Sequence, residues 1–365
     1  MILRAALLFS TVLAATAPSR AETSAESLAS AESDLTGALA GLQAADLTGV
    51  PDLAAAVTAY ENALASVRNA VMAASFDERA ELLGILARRE EVSRFLGALQ
   101  RMDPDPVPAR SMHPDGPLAA ARVAVMARHI VPGMADAASG LRETLDEIET
   151  ARALQARGVE LIAARIGDLA TGQARLADAI AAEMATAAEP AVDPEMAALV
   201  RENETLTEFA RALVGNEAED AAPPVLTRPV TGSLRHGFRM PDASGSRRPG
   251  QVIEAAPRSQ VRAPATGIVR YAGPFLDFGQ VVVLEVAPGV TVVLAGLERV
   301  RVSRGSRVAG GELLGLLGGA PLGADDYLMM TGGGTGAGAR ETLYIEIAER
   351  GVPVDPEPLF AGDNG

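Results

Sequence analysis

Between Leu141 and Ile180 apolar residues recur in one unbroken heptad register. With Leu141 at position d, residues Leu145, Ile148, Arg152, Gln155, Val159, Ile162, Ile166, Leu169, Gln173, Leu176 and Ile180 fall at successive a and d positions, and nine of the twelve are apolar. Such a seam calls for a long helix that buries a narrow stripe against a partner helix. Arg152, Gln155 and Gln173 interrupt it, and polar seam residues cost stability but fix register. A helix from Met134 to about Ala187 would be on the order of 80 Å long at 1.5 Å per residue.

The partner is expected upstream. From Glu22 to about Ala188 the chain is rich in Ala, Leu and Glu and poor in aromatic residues, the composition of long helices. Leu28, Leu35, Leu39 and Leu42 make a short seam, Gly49-Val50-Pro51 interrupts it, and Leu53, Val57, Tyr60, Leu64, Val67 and Val71 resume it. An antiparallel hairpin within one chain is the expected arrangement. An apolar seam does not by itself dictate orientation, so a coil between two chains stays open.

Between the arms, Asp77 to Met102 carries Leu82, Leu83, Ile85, Leu86, Val92, Phe95, Leu96 and Leu99, more apolar residues than a two-stranded seam needs. Pro104, Pro106 and Pro108 then break the chain, and a short helix is expected from Leu118 to Val131, ahead of Pro132-Gly133. This predicts a small helical lobe at about 77–131 whose wider apolar face packs internally or docks a partner.

Met1 to Arg4 is a short basic start, Ala5 to Ala17 an apolar run and Ser19-Arg20-Ala21 a small-x-small cleavage site. The apolar run falls well short of the ~20 residues a membrane span needs, so 1–21 reads as a secretory signal peptide and the mature chain as periplasmic. The formal charge of −15 becomes −17 without Arg4 and Arg20, and the excess lies before residue 223, since 14 Arg balance 14 Asp plus Glu after it. That excess argues against nucleic acid as a partner of the helical part. The chain has no Cys, which excludes a disulfide framework and thiolate metal sites.

Ala187-Ala188-Glu189-Pro190 ends the long helix. Asp193 and Pro194 suit the N-cap and first position of another, Glu195 to Val214, with Met196, Leu199, Val200, Leu206, Phe209, Ala210 and Leu213 on its apolar face. That face must be buried somewhere. Gly215 to Pro224 reads as a flexible acidic linker. From Val225 short β-branched runs separated by Gly and Pro predict an all-β domain, with strands over 281–286, 290–294, 300–302, 313–317 and 343–347. Gly332-Gly333-Gly334-Thr335-Gly336 reads as a loop with no phosphate-binding context.

Within that domain Arg248-Pro249-Gly250-Gln251-Val252-Ile253-Glu254-Ala255-Ala256-Pro257 and Ala263-Pro264-Ala265-Thr266-Gly267-Ile268-Val269-Arg270-Tyr271-Ala272-Gly273 resemble the motifs H-x-G-x-D-I-x-A-P and A-P-A-x-G-x-V-x-Y-A-G of lysostaphin-like (LytM-type) zinc peptidases. Thr291 to Leu297 and Thr342-Leu343-Tyr344-Ile345-Glu346-Ile347 look like the family's T-L-Y-A-H-L and H-L-H-F-E-I, and Gly351 to Pro356 like its closing G-x-x-V-D-P. The resemblance covers Pro229 to Phe360. It places Arg248, Val252 and Tyr344 where the family has zinc ligands, and Gly296 and Thr342 where it has catalytic histidines. A catalytic zinc needs about three Cys, His, Asp or Glu ligands and an open position. No metal, cofactor or peptidase activity is therefore expected. His113, His129 and His236 are expected to be surface or helix-packing residues.

A coiled coil followed by a LytM-type domain without its ligands resembles the EnvC-type murein hydrolase activators. The fold class expected is multi-domain α plus β: signal peptide 1–21, coiled-coil hairpin 22–188 with its lobe, restraining helix and linker 189–224, and a degenerate all-β LytM-type domain 225–365. The resemblance implies a non-enzymatic activator of periplasmic N-acetylmuramyl-L-alanine amidases in septal cell-wall splitting, controlled by the periplasmic domain of an FtsX-like membrane protein in an FtsE–FtsX-type complex. It implies an amidase-binding groove at Arg248, Glu254, Arg270 and Tyr344. It also implies a restraint carried by Met196, Leu199, Leu206, Phe209 and Leu213, and a transporter-binding lobe with Leu82, Leu86, Phe95 and Leu99. Direct contact with peptidoglycan stays open. Two other readings compete: a murein endopeptidase with an unrecognised metal site, and a periplasmic adaptor of an efflux or secretion system. Residues 263–269 and 302–314 also resemble lipoyl-like halves of such adaptors, but here both halves follow the coil rather than flanking it.

Overall fold

The computed structural model describes residues 20–44, 49–87, 93, 97, 117–186, 194–214, 224–241, 245, 247–330 and 340–360. The signal-peptide region 1–19, Phe95, Leu99, His113, most of the acidic linker and the glycine-rich loop lie outside them. Among the described residues the helices α1 (Arg20–Gln43), α2 (Val50–Ala87) and α3 (Pro117–Thr186) come first. Two short ones follow, α4 (Pro194–Glu202) and α5 (Leu206–Val214), and then ten strands with a further short helix, α6 (Ala324–Met329), before β9. No helix among the described residues is long and apolar enough to cross a membrane.

The chain divides into two compact units, Met1–Asp34 with Ala65–Leu161, and Leu35–Leu64 with Ile162–Gly365. In the first, Arg152 Nε donates to Glu78 Oε1 at 2.7 Å and Gln155 Nε2 to the Ala74 carbonyl at 3.3 Å, so α2 and α3 pair antiparallel within one chain. The α1 segment does not continue the α2 arm, as the single interrupted seam had implied. It runs back along it, with Ser24 Oγ donating to Asp77 Oδ2 at 2.6 Å and Arg157 paired with Glu32 at 2.6 Å. Three helices meet at Gly158, where a Cβ would lie 2.2 Å from Val71 Cγ2 and 3.6 Å from Leu28 Cδ1.

This third helix changes which α3 residues are inside. Ala151 and Gly158 are buried, whereas Leu145 and Val159 are 47% and 39% exposed despite their heptad positions. The expected short helix 118–131 and the long one are a single helix that passes through Pro132-Gly133. Ring closure removes one hydrogen bond of the ladder without ending it here. Leu82 and Leu86, assigned to the lobe, sit in the last turns of α2 and are 38% and 62% exposed.

In the second unit Leu35, Leu42, Leu53, Val57, Tyr60, Leu64, Ile162, Leu176 and Ile180 are buried. Tyr60 donates its hydroxyl to the Arg165 carbonyl at 3.0 Å and Gln173 Nε2 donates to Glu61 Oε1 at 2.9 Å.

The strands of this unit are β1 (Gly232–His236), β2 (Gln251–Ala255), β3 (Gln260–Arg262), β4 (Gly267–Pro274), β5 (Gln280–Ala287), β6 (Val290–Val300), β7 (Arg307–Val308), β8 (Leu313–Leu317), β9 (Glu341–Glu349) and β10 (Val352–Val354). Every pairing between these strands is antiparallel, and an isolated bridge joins Leu226 to Phe360 in parallel. The order is β1-β2-β9-β6-β5-β4-β7, with β10 on β9 and β8 joining β3 to β6. Residues 300–302, expected as a strand of their own, are the end of β6 and the loop after it.

Side chains alternate across a strand, so each apolar run serves two faces. Val282, Leu284, Val292, Leu294, Leu343, Ile345 and Ile347 fill the main core with Ile253, Val261 and Val269. Val281, Val283, Val293, Ala295 and Tyr344 point the other way, into a second cluster. An antiparallel sheet with one wet face would show polar residues at every second position. Runs such as Val281-Val282-Val283-Leu284 therefore report that both faces are covered.

Candidate functional site

The cover on the second face is α4 and α5. Met196, Leu206, Phe209 and Ala210 are buried there against Tyr271, Phe275 and Tyr344, with Leu199, Val200, Leu213, Val252 and Phe278 packed at the margin. All five side chains assigned to the restraint thus lie in one cluster with two of the vacated ligand positions, Val252 and Tyr344. Phe209 is fully buried. Its ring lies 4.8 Å from that of Tyr271, edge to face, and 4.6 Å from that of Phe275, separations at which aromatic pairs add to burial.

The expected single helix 195–214 is broken into two. Asn203 Nδ2 donates to the Leu199 carbonyl at 2.8 Å and closes α4, while Thr205 Oγ1 accepts from the Glu208 N–H at 3.2 Å and starts α5. Thr205-Leu206-Thr207-Glu208 is a capping-box pattern, a start signal present in the sequence that the periodicity had masked.

Under α5 lies a buried acid. Glu346, on β9, is 1% exposed and accepts hydrogen bonds from Thr207 Oγ1 at 2.7 Å and from the Tyr344 hydroxyl at 2.7 Å. Burial pushes its carboxyl above the usual carboxylate range, against the two hydrogen bonds and the Arg211 cation. The Tyr344 phenol is driven well up by burial and by the Glu346 charge, with Arg248 opposing. Arg211 anchors the end of α5 by donating from Nη2 to the Gly351 carbonyl at 2.6 Å.

The vacated positions are brought together. Val252 and Tyr344 face each other in the β2–β9 register, Tyr344 is paired with Ala295 on β6, and Gly296 follows it. At Gly296 φ is +99° and a Cβ would lie 2.7 Å from the Thr342 carbonyl oxygen, so no histidine side chain fits this backbone. Arg248, Val252 and Thr342 line a cavity of about 190 Å³ at the open end of the same region, together with Arg235, His236 and Met240. His236, expected as a surface or helix-packing residue, is half-buried and lines this cavity. Glu254 lies two register positions beyond Val252, opposite Thr342, and is ion-paired with Arg340 at 2.9 Å. Arg270 is not part of the site: Arg270 Nε donates to Glu285 Oε2 at 2.6 Å, away from both the cavity and the helix-covered cluster.

The zinc of active LytM-type domains does not fit this donor set. A guanidinium cannot give up its proton to become a ligand, Val252 has no donor atom, and the Tyr344 phenol is held protonated and turned to Glu346. Among the described residues no group of three or more His, Cys, Asp or Glu is placed to hold a metal ion.

The second unit therefore carries an antiparallel β domain of M23 type, with Arg248, Val252 and Tyr344 at the positions that the resemblance pairs with zinc ligands. Residues 246–356 match the family model "Peptidase family M23". A protein of uncharacterised function from Haemophilus influenzae is 29% identical over 128 residues, 35% of this chain and 28% of its own length. Among solved structures, Helicobacter pylori Csd3 aligns at 19% identity over 40% of this chain and 37% of its own, with a TM-score of 0.29. A zinc-containing peptidase of Vibrio cholerae aligns at 20% identity over 36% of this chain and 39% of its own, also with a TM-score of 0.29. The chain thus matches well under half the length of these three relatives.

Proposed function

We propose that this protein is a non-enzymatic activator of periplasmic N-acetylmuramyl-L-alanine amidases, acting in septal peptidoglycan splitting and controlled through its helical region by an FtsE–FtsX-type complex. The observation that carries the reading is the docking of α4 and α5 over the face where a LytM-type domain would bind zinc, with Phe209, Val252 and Tyr344 in one cluster. A face closed by a segment of its own chain suits a regulated binding groove better than an open catalytic cleft. If only molecules with the segment released bind amidase, the apparent affinity falls by the fraction released, and a partner that raises that fraction switches the activator on.

The test is release of dye-labelled murein fragments by the same organism's amidase, with the full chain and with a chain lacking 193–214. The reading expects weak stimulation by the full chain, strong stimulation by the deleted one, and no release by either without amidase. Release without amidase would instead establish a peptidase, and no stimulation by either form would remove the activator reading.

A further inference from the structure

Beneath α5 a carboxylate is set among apolar side chains. Side chains two apart on a strand share a face, so Glu346 points the same way as Tyr344, towards the docked segment. Val293 of the same cluster stands opposite Glu346 in the β6 register. The two oxygens of Glu346 are served from different elements: Oε1 accepts from Thr207 Oγ1 on α5 and Oε2 from the Tyr344 hydroxyl on the sheet, both at 2.7 Å. An ionised carboxylate has room for about four such bonds, and at 1% exposure Glu346 is shut off from solvent. Burial works against its charge, and the two hydrogen bonds and the Arg211 cation offset that only in part. When α5 leaves, Tyr344 stays on the sheet, Thr207 goes, and the freed oxygen meets water.

The apolar part of the contact has the opposite effect. Met196, Leu206, Phe209 and Ala210 are buried by docking, and because they belong to the same chain no freedom of a second molecule is lost. Hydrocarbon alone would hold such a segment tightly and specify its register loosely.

We propose that Glu346 keeps the docked segment releasable: its carboxylate tolerates only a segment that brings a donor to it, and water takes that donor's place once the segment lifts. Replacing a buried polar or ionic group by well-packed hydrocarbon is often neutral or stabilising, whereas removing one partner alone is strongly destabilising. The two kinds of substitution therefore move the segment in opposite directions. A contact that served only to hold would be weakened by both. The proposal rests on the reading that α4 and α5 leave the sheet, but not on what then binds there. Its test contains no amidase, so its outcome and that of the murein-release assay are independent.

The experiment is amide hydrogen exchange of the full chain at pH 7, read over 206–214 and, for reference, over β5 and β6. Thr207→Val leaves the carboxylate with Tyr344 alone and is expected to raise opening of 206–214 about tenfold or more. The triple variant Thr207→Val, Tyr344→Phe, Glu346→Leu removes the whole network and is expected to lower opening to about a tenth of wild type or less. Glu346→Gln removes the charge, keeps the shape and should also lower opening, so it reads the same point if the triple variant loses protection in β5 and β6. Opening that rises in Glu346→Gln and in the triple variant, as it does in Thr207→Val, overturns the proposal, because Glu346 would then be a holding contact. Unchanged opening in all three variants overturns it as well.

Discussion

Gly296 stands where the resemblance puts a catalytic histidine, and its backbone excludes one through both its positive φ and the Thr342 carbonyl in the path of a Cβ. Gly296→His is expected to destabilise the β domain by about 3 kcal/mol, read as a lowered urea midpoint. An unchanged midpoint would mean that the strand re-routes easily. Glu346 makes a prediction about pH. Its unfolded carboxyl titrates near 4.5, whereas burial lets the folded one keep its proton to higher pH. The contribution of Glu346 to stability is therefore greatest below pH 4.5, falls as pH rises through the window between 4.5 and the raised value, and then levels off. Denaturation of wild type and Glu346→Gln between pH 4 and 8 checks this. The substitution should remove that part of the slope, while an unaltered slope would assign it to other carboxylates.

Helix α5 has nine residues, too short to hold its shape without packing, so its order depends on Phe209 and its neighbours. Phe209→Ala removes a fully buried ring and is expected to cost about 3–5 kcal/mol, enough to release the helix rather than unfold the sheet beneath it. Hydrogen exchange should then show amides 206–214 losing protection while those of β5 and β6 keep theirs. Simultaneous loss in all three would mean that helix and sheet are one cooperative element. Among the described glycines of the first unit Gly158 has the closest neighbour, Val71. Gly158→Ala is expected to cost about 1–3 kcal/mol in thermal unfolding followed at the helix signal, because its methyl would overlap Val71 Cγ2. Adding Val71→Ala should recover part of that loss, whereas independent effects would place the strain elsewhere.

The β domain is fastened within its unit to the α2 and α3 segments it shares that unit with. Gln260 Nε2 donates to the Ala54 carbonyl at 3.0 Å, Arg262 Nη2 to Thr58 Oγ1 at 3.0 Å, and Arg301 grips Glu183 with two bonds of 3.0 and 3.1 Å. Burial raises the carboxyl of Glu61, opposed by the Gln173 bond and by the Arg262 cation. Arg262→Met should therefore cost about 1–3 kcal/mol at pH 7.5 and less at pH 5, where Glu61 can take a proton. A loss equal at both pH values would show that Arg262 acts through packing alone. Much of this organisation was legible beforehand. The heptad positions of α2 and α3, the motif frame from Arg248 to Pro356 and the apolar face of 195–214 are local patterns, and periodicity or residue identity at fixed spacing carries them. What a stripe of leucines does not encode is how many helices share it, so the seam of α1 looks like part of one arm although three helices meet at Gly158. Nor does an apolar face name what it covers. Placing Phe209 on Tyr271 and in one cluster with Tyr344 required segments distant in the chain to meet, because such contacts depend on register and closure rather than on any local run of residues.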